Sequence, residues 1–118
     1  MRDFVGTVAH AGCRVFVVHA RNAWLDGLSP KDNRDIPPLR YDDARHLKRD
    51  FPDVTFAING GIVGDDAIDE HLRTMDGVMI GRAAYHQPWS MRTWDERFFG
   101  EPPVEPDRDA VETAMVEY

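Results

Sequence analysis

The sequence predicts an α/β fold: about three parallel strands with flanking helices, and one further helix near the C-terminus. Three observations predict it. Short β-branched or aromatic runs recur at residues 14–20, 54–58 and 77–80. Between them the spacing of apolar residues switches to a helical period. The second and third runs also end in glycine, as Phe56-Ala57-Ile58-Asn59-Gly60-Gly61 and Met79-Ile80-Gly81-Arg82. Strand, turn and helix in alternation is the pattern of right-handed βαβ units.

Taken in order, Asp3, Phe4, Val5, Val8 and Ala9 carry an i, i+4 apolar spacing that stops at Gly12, which predicts a short helix. Residues 14–20 are apolar almost throughout, the signature of a strand buried on both faces. Residues 21–40 hold Gly27, Ser29-Pro30, Asn33 and Pro37-Pro38, all turn or breaker signals. A connection this long tends to be functional or disordered. Trp24, Leu25, Leu28, Ile36 and Leu39 argue for an ordered loop with apolar anchors. Tyr41, Ala44, Leu47, Lys48 and Phe51 then predict an amphipathic helix closed by Pro52. After the second strand, Asp65 and Asp66 suit a helix N-terminus, with Ala67, Ile68, Leu72 and Met75 as its buried side. Past the third strand the chain turns helical and aromatic through Tyr85, Trp89, Trp94, Phe98 and Phe99, with Pro88 placed for a first turn. A proline-rich break at 101–106 leads to Asp107, a fair N-cap. A last helix follows, with Val111, Ala114, Met115 and Tyr118 on one side, standing apart behind its linker.

The 118 residues suffice for one ordinary domain. A (β/α)8 barrel takes about 250 residues, so three strands with helices make less than half of one. Such a cut sheet exposes two edges and, on this reading, the inward faces of Phe16, Val18, Phe56, Ile58 and Ile80. Exposed edges seek partners, which predicts self-association or a second chain supplying the rest of the barrel. No apolar run is long enough to span a bilayer and no signal-peptide pattern opens the chain, so a cytoplasmic address is expected.

A net charge of −7 argues at first against a nucleic-acid partner. Residues 21–49, however, hold seven Arg/Lys against five Asp/Glu, a local +2. Cys13 is the single cysteine, which rules out an internal disulfide or a multi-cysteine metal site. Its place just before an apolar run suits a buried or incidental thiol better than a nucleophile.

The glycine-ended strands carry the chemistry. Glycine lets an anion approach the backbone, and the next helix offers its free N–H groups. Arg82 adds a planar cation suited to a phosphate. Two such turns on neighbouring parallel strands predict a shared phosphate site. The bland alternatives are an ordinary strand-to-helix turn at Asn59, Gly60 and Gly61, and a surface ion pair at Arg82.

The run His19-Ala20-Arg21-Asn22-Ala23-Trp24-Leu25-Asp26-Gly27-Leu28-Ser29-Pro30-Lys31-Asp32-Asn33-Arg34-Asp35-Ile36-Pro37-Pro38-Leu39 closely resembles the signature of the tRNA-dihydrouridine synthases, A subfamily. Asn59-Gly60-Gly61-Ile62 and Asp76-Gly77-Val78-Met79-Ile80-Gly81-Arg82-Ala83-Ala84-Tyr85 match the same family in the same order. The resemblance covers roughly residues 10–100, and the Asn22–Leu39 block argues against a small-substrate flavin barrel. It implies a flavoenzyme that binds FMN at the C-terminal face of a (β/α)8 barrel. Hydride comes from NADPH, and the C5–C6 double bond of uridines in the tRNA D-loop is reduced. Residues 1–100 would be the C-terminal portion of that barrel, its sixth to eighth strands. Residues 101–118 would be a linker and the first helix of a helical tRNA-binding domain.

By the same resemblance, His19 faces the flavin from a strand end, where a satisfied core histidine is the alternative. Asn59, Gly60 and Gly61 line the FMN phosphate side, and Gly81 and Arg82 complete it. Lys31 and Arg34 match positions that hold tRNA, with solvated loop charges as the alternative. Trp24 would stack on a base or pin the loop. No catalytic residue and no metal ligand is assigned: the family's proton-donating cysteine lies in an earlier loop, and Cys13 does not match it. The chain alone is therefore expected to be inactive, and a non-catalytic FMN-, phosphate- or RNA-binding module is the competing reading.

Overall fold

A computed structural model describes residues 1–105 and 107–117. Pro106 and Tyr118, expected in the proline-rich break and on the last helix, lie outside the described residues. The chain divides into two compact units, residues 1–83 and 84–118.

The first unit runs α1 (Arg2–His10), β1 (Val15–His19), a 3-10 turn (Asp32–Arg34), α2 (Tyr41–Asp50), β2 (Thr55–Asn59), α3 (Asp65–Leu72) and β3 (Gly77–Met79). The strands form one parallel sheet in the order β1-β2-β3. This is the strand–helix repeat of a (β/α)8 barrel, present here as three strands with their helices, as the sequence predicts. Each crossover is helical, so all three C-terminal strand ends reach the same sheet edge. The register sets His19 opposite Asn59, and Asn59 opposite Met79.

The helices form where the charge pattern and the apolar stripe agree. In α2, Asp42 and Asp43 occupy the first turn and Lys48 and Arg49 the last, each complementing the helix dipole, while Ala44 and Leu47 are buried. Lys48 then staples the helix to the sheet. Its Nζ donates to the carbonyls of Pro52 (3.1 Å) and Val54 (3.0 Å) and pairs with Asp76 at 2.8 Å. The same Asp76 carboxylate accepts the Phe56 N–H at 2.8 Å. The Lys48 hydrogen bond holds the Asp76 carboxyl below its usual range; desolvation opposes this and the Phe56 N–H assists it.

The face assignment needs correction. Phe56 and Ile58 are 0% exposed and lie on the face that α2 and α3 cover, with the Phe16 ring stacked on Phe56 at 5.5 Å. The bare face carries Val15, Val17 and Met79, which are 61%, 55% and 46% exposed. The residues expected to point inward thus point outward at the helices. Because β1 is apolar at every position, its periodicity cannot separate the faces. In β2 the bulky Phe56 and Ile58 fill the gap to the helices, while Thr55, Ala57 and Asn59 take the other side. Burial of both faces is likewise absent from β1, which alternates exposed and half-buried residues.

Residues 21–40 leave the sheet edge and return to it. Arg40 N–H donates to the Ala20 carbonyl at 2.7 Å, and Arg21 and Leu39 form an antiparallel bridge. Within the loop the polar Asn33 is the organiser: its Oδ1 accepts the Trp24 N–H at 2.7 Å and its Nδ2 donates to the Trp24 carbonyl at 2.9 Å. The expected apolar anchors contribute less, since Trp24, Leu25 and Ile36 are exposed and only Leu28 and Leu39 are half-buried.

In the second part, α4 (Arg82–His86) runs across the division between units. A 3-10 helix at Pro88–Thr93 begins on its proline, and α5 (Trp94–Phe99) ends at Gly100 in the left-handed conformation. The last helix, α6 (Arg108–Glu117), follows Asp107, whose carboxylate accepts the Asp109 N–H at 3.0 Å. Val111 and Met115 on it stay exposed. No helix among the described residues is long and apolar enough to cross a membrane.

Candidate functional site

The C-terminal edge of the sheet gathers the residues singled out by the sequence. His19 ends β1 and pairs in register with Asn59, which ends β2; Gly60 and Gly61 follow directly. Gly81 and Arg82 follow β3, the other neighbour of β2. Parallel pairing alone requires this convergence, because each strand must deliver its exit turn to the same side.

The two glycine turns differ in construction. Gly60 and Gly61 have φ of +120° and +65°, a region that disfavours any side chain. A Cβ at Gly61 would sit 2.8 Å from Leu39 Cδ1, and one at Gly60 would sit 3.3 Å from His19 Cε1. The Gly60 carbonyl accepts the Tyr41 hydroxyl at 2.7 Å, and the Asn59 carbonyl accepts the Ala20 N–H at 2.8 Å. Gly81 has no heavy atom within 4 Å of a Cβ position. Its neighbour Arg82 donates from Nη1 to Asp35 Oδ1 at 2.8 Å, and the Arg82 side chain remains 60% exposed. The surface ion pair weighed for Arg82 is therefore present, in an exposed form.

Asp35 sits in the long loop. Its backbone carbonyl accepts Arg21 Nη1 at 3.1 Å, and Arg21 also donates to the Pro37 carbonyl. The Asn59 amide, half-buried, donates to Met79 Sδ at 3.4 Å across the strand pair. Behind the braced turn, the Tyr41 ring meets the buried His71 imidazole edge-on at 4.4 Å. Burial pushes the His71 imidazole below its ordinary range, and Arg45 adds to this while Glu70 opposes it. Burial raises the Tyr41 phenol, against Arg21 and Arg45.

Lys31 and Arg34 bracket the start and end of the 3-10 turn, both exposed. Cys13 lies before β1, at the opposite edge of the sheet from the glycine turns. No cluster of His, Cys, Asp and Glu among the described residues has the geometry to hold a metal ion. A cleft of about 430 Å³ opens beside β1, where it touches His19 and Arg21 but reaches neither glycine turn.

A phosphate-bearing cofactor fits the residues present. The open space at Gly81 and the exposed guanidinium beside it leave room for an anion, which would displace or share the Asp35 carboxylate now paired with Arg82. Sequence reasoning missed Asp35, Asn33 and Tyr41 as supports. Tyr41 was legible only as one apolar position of α2, whose period says nothing of what its hydroxyl reaches.

The model of the dihydrouridine synthase family matches residues 1–117. Among curated relatives, a protein of Pseudomonas putida named tRNA-dihydrouridine(20/20a) synthase is 59% identical over 100 residues, covering 85% of this chain and 30% of the relative. Proteins of the same name from Salmonella typhimurium and Synechocystis are 51% and 50% identical, covering 98% of this chain and 35% and 34% of the relatives. The chain spans about a third of the length of these relatives.

Proposed function

The chain belongs to the dihydrouridine synthase family, and from that premise we propose that it forms the C-terminal part of an FMN- and NADPH-dependent enzyme that reduces uridine to dihydrouridine in the tRNA D-loop. One observation carries the reading: His19, Asn59 and both glycine turns meet at a single edge of a parallel sheet. That is where a barrel of this kind places its chemistry, with a phosphate site after its last two strands.

FMN, when bound, supplies the hydride transfer. The chain's own residues hold and orient it. The backbone around Gly60 and Gly61 and the open turn at Gly81 receive the phosphate, and Arg82 neutralises it. The Asn59 amide and the His19 imidazole lie one strand apart at the rim, able to donate hydrogen bonds toward the flavin side. Lys31 and Arg34 stand on the loop rising from the same edge, where two exposed cations suit successive RNA phosphates. Cys13 lies at the opposite edge of the sheet from the glycine turns, so the proton donor is assigned to a part of the enzyme outside these residues. These 118 residues alone would then be inactive.

The bare face supports a barrel reading too. Val15, Val17 and Met79 await the remaining strands of a barrel, or a second copy of this sheet. Residues 1–100 serve as barrel and 101–118 as the entry to a helical tRNA-binding domain. A tRNA substrate is what supports a cytoplasmic address. A module that binds FMN or RNA without chemistry remains the second reading, favoured by the lack of a cysteine at the turns.

The test is a titration of the purified chain with FMN and with tRNA. FMN binding that is lost in Arg82→Ala and kept in Lys31→Ala supports a cradle separate from the RNA surface. tRNA binding that weakens in Lys31→Ala/Arg34→Ala, with a shallower salt dependence, supports the second site. FMN affinity unchanged by Arg82→Ala would sink the cradle.

A further inference from the structure

Among the described residues, the hydroxyl of Tyr41, the first residue of α2, is the side-chain group hydrogen-bonded to the Gly60 carbonyl. It donates to the Gly60 carbonyl at 2.7 Å, within a partly buried setting. A Cβ on Gly61 would approach the same oxygen at 3.6 Å, so the hydroxyl lies directly against the turn. The His71 ring packs edge-on against it at 4.4 Å. His71 is 5% exposed and its Nδ1 has no partner, so the imidazole acts here as a packing wall.

A peptide unit is rigid, and fixing its carbonyl fixes the N–H on its other side. The Gly60 carbonyl shares its peptide plane with the Gly61 N–H. Pulling that oxygen toward Tyr41 therefore turns the Gly61 N–H the opposite way, away from the Tyr41 hydroxyl. At φ values of +120° and +65°, two glycines have many other conformations available, and a lone backbone turn would sample them.

We propose that Tyr41 is a positioning residue: by holding the Gly60 carbonyl it presets the Gly61 amide to face a bound phosphate. The proposal rests on the reading of the glycine turns as a phosphate site and adds the group that orients them. Removal of the hydroxyl leaves packing intact, frees the peptide to rotate, and costs affinity only for ligands that carry a phosphate.

The experiment compares FMN with riboflavin, which lacks the phosphate, on the wild-type chain and on Tyr41→Phe. The expected result is FMN binding weakened by about three- to tenfold, the worth of one hydrogen bond, with riboflavin affinity unchanged. The amide exchange of Gly61 and Ile62, measured without ligand, should accelerate in the variant. Equal losses for both flavins would show a general structural role and overturn the proposal. So would an unchanged FMN affinity with unchanged exchange at Gly61. A wild-type chain that binds FMN no better than riboflavin would sink the phosphate reading itself, and this inference with it.

Discussion

The turn after β2 and the turn after β3 leave the same sheet edge, end in the same residue type and use it for opposite reasons. Gly60 and Gly61 sit at positive φ, crowded by Leu39 and tied by Tyr41. Gly81 has an ordinary backbone and open space around it. The first pair is glycine because positive φ and the press of Leu39 both penalise a side chain. The second is not crowded by any described residue and has no positive φ, so within these residues only the proposed approach of a phosphate would call for glycine. Identical letters in a motif can thus carry separate constraints, and substitution separates them.

The largest effect should come from Gly61→Ala. Left-handed strain combined with a 2.8 Å approach to Leu39 predicts a loss of about 1–3 kcal/mol, read from a urea unfolding midpoint. A smaller loss should follow acidification, again through the braced turn. The His71 imidazole is held below its ordinary value of 6.5 in the folded chain, so the unfolded chain takes up its proton first. Stability is then full above about pH 6.5 and falls as the pH drops below it. Unfolding midpoints between pH 7.5 and pH 5 check this, and His71→Gln should flatten the slope. Asp76 titrates below its ordinary 3.8 and acts in a separate, more acidic window.

At the open turn the effects on stability shrink. Arg82→Ala removes an exposed ion pair and should change stability by about 0–1 kcal/mol, while flavin phosphate affinity drops. Gly81→Ala should lie within about 0.5 kcal/mol of wild type by denaturation, with its effect confined to ligand binding. A Gly81→Ala variant as unstable as Gly61→Ala would erase the distinction between the turns.

The sequence revealed the strand order of events because helical and extended periods alternate cleanly from Val15 to Met79. It also placed His19, Asn59 and both turns together, since parallel strands joined by helices leave no other arrangement. It misjudged which face the helices cover. Val15 to Val18 are equally apolar, and only the contrast of Phe56 and Ile58 with Thr55 and Ala57 carries that information. It was silent on the supporting roles of Asn33, Asp35 and Tyr41 for another reason. Their roles lie in hydrogen bonds to partners 9, 47 and 19 residues away, a range at which local pattern holds no signal.

The closure between Ala20 and Arg40 has an evolutionary consequence. Once a stem is clamped, lengthening or rewriting the chain beyond it costs the sheet almost nothing, because the entropy of closing a loop grows only slowly with its size. Residues 22–34 thereby form an exchangeable cassette, while Asp35 and the buried Pro37 tie the return limb to Arg21 and Arg82. A lineage could retool what it grips by editing that cassette alone, while the strands beneath stay untouched.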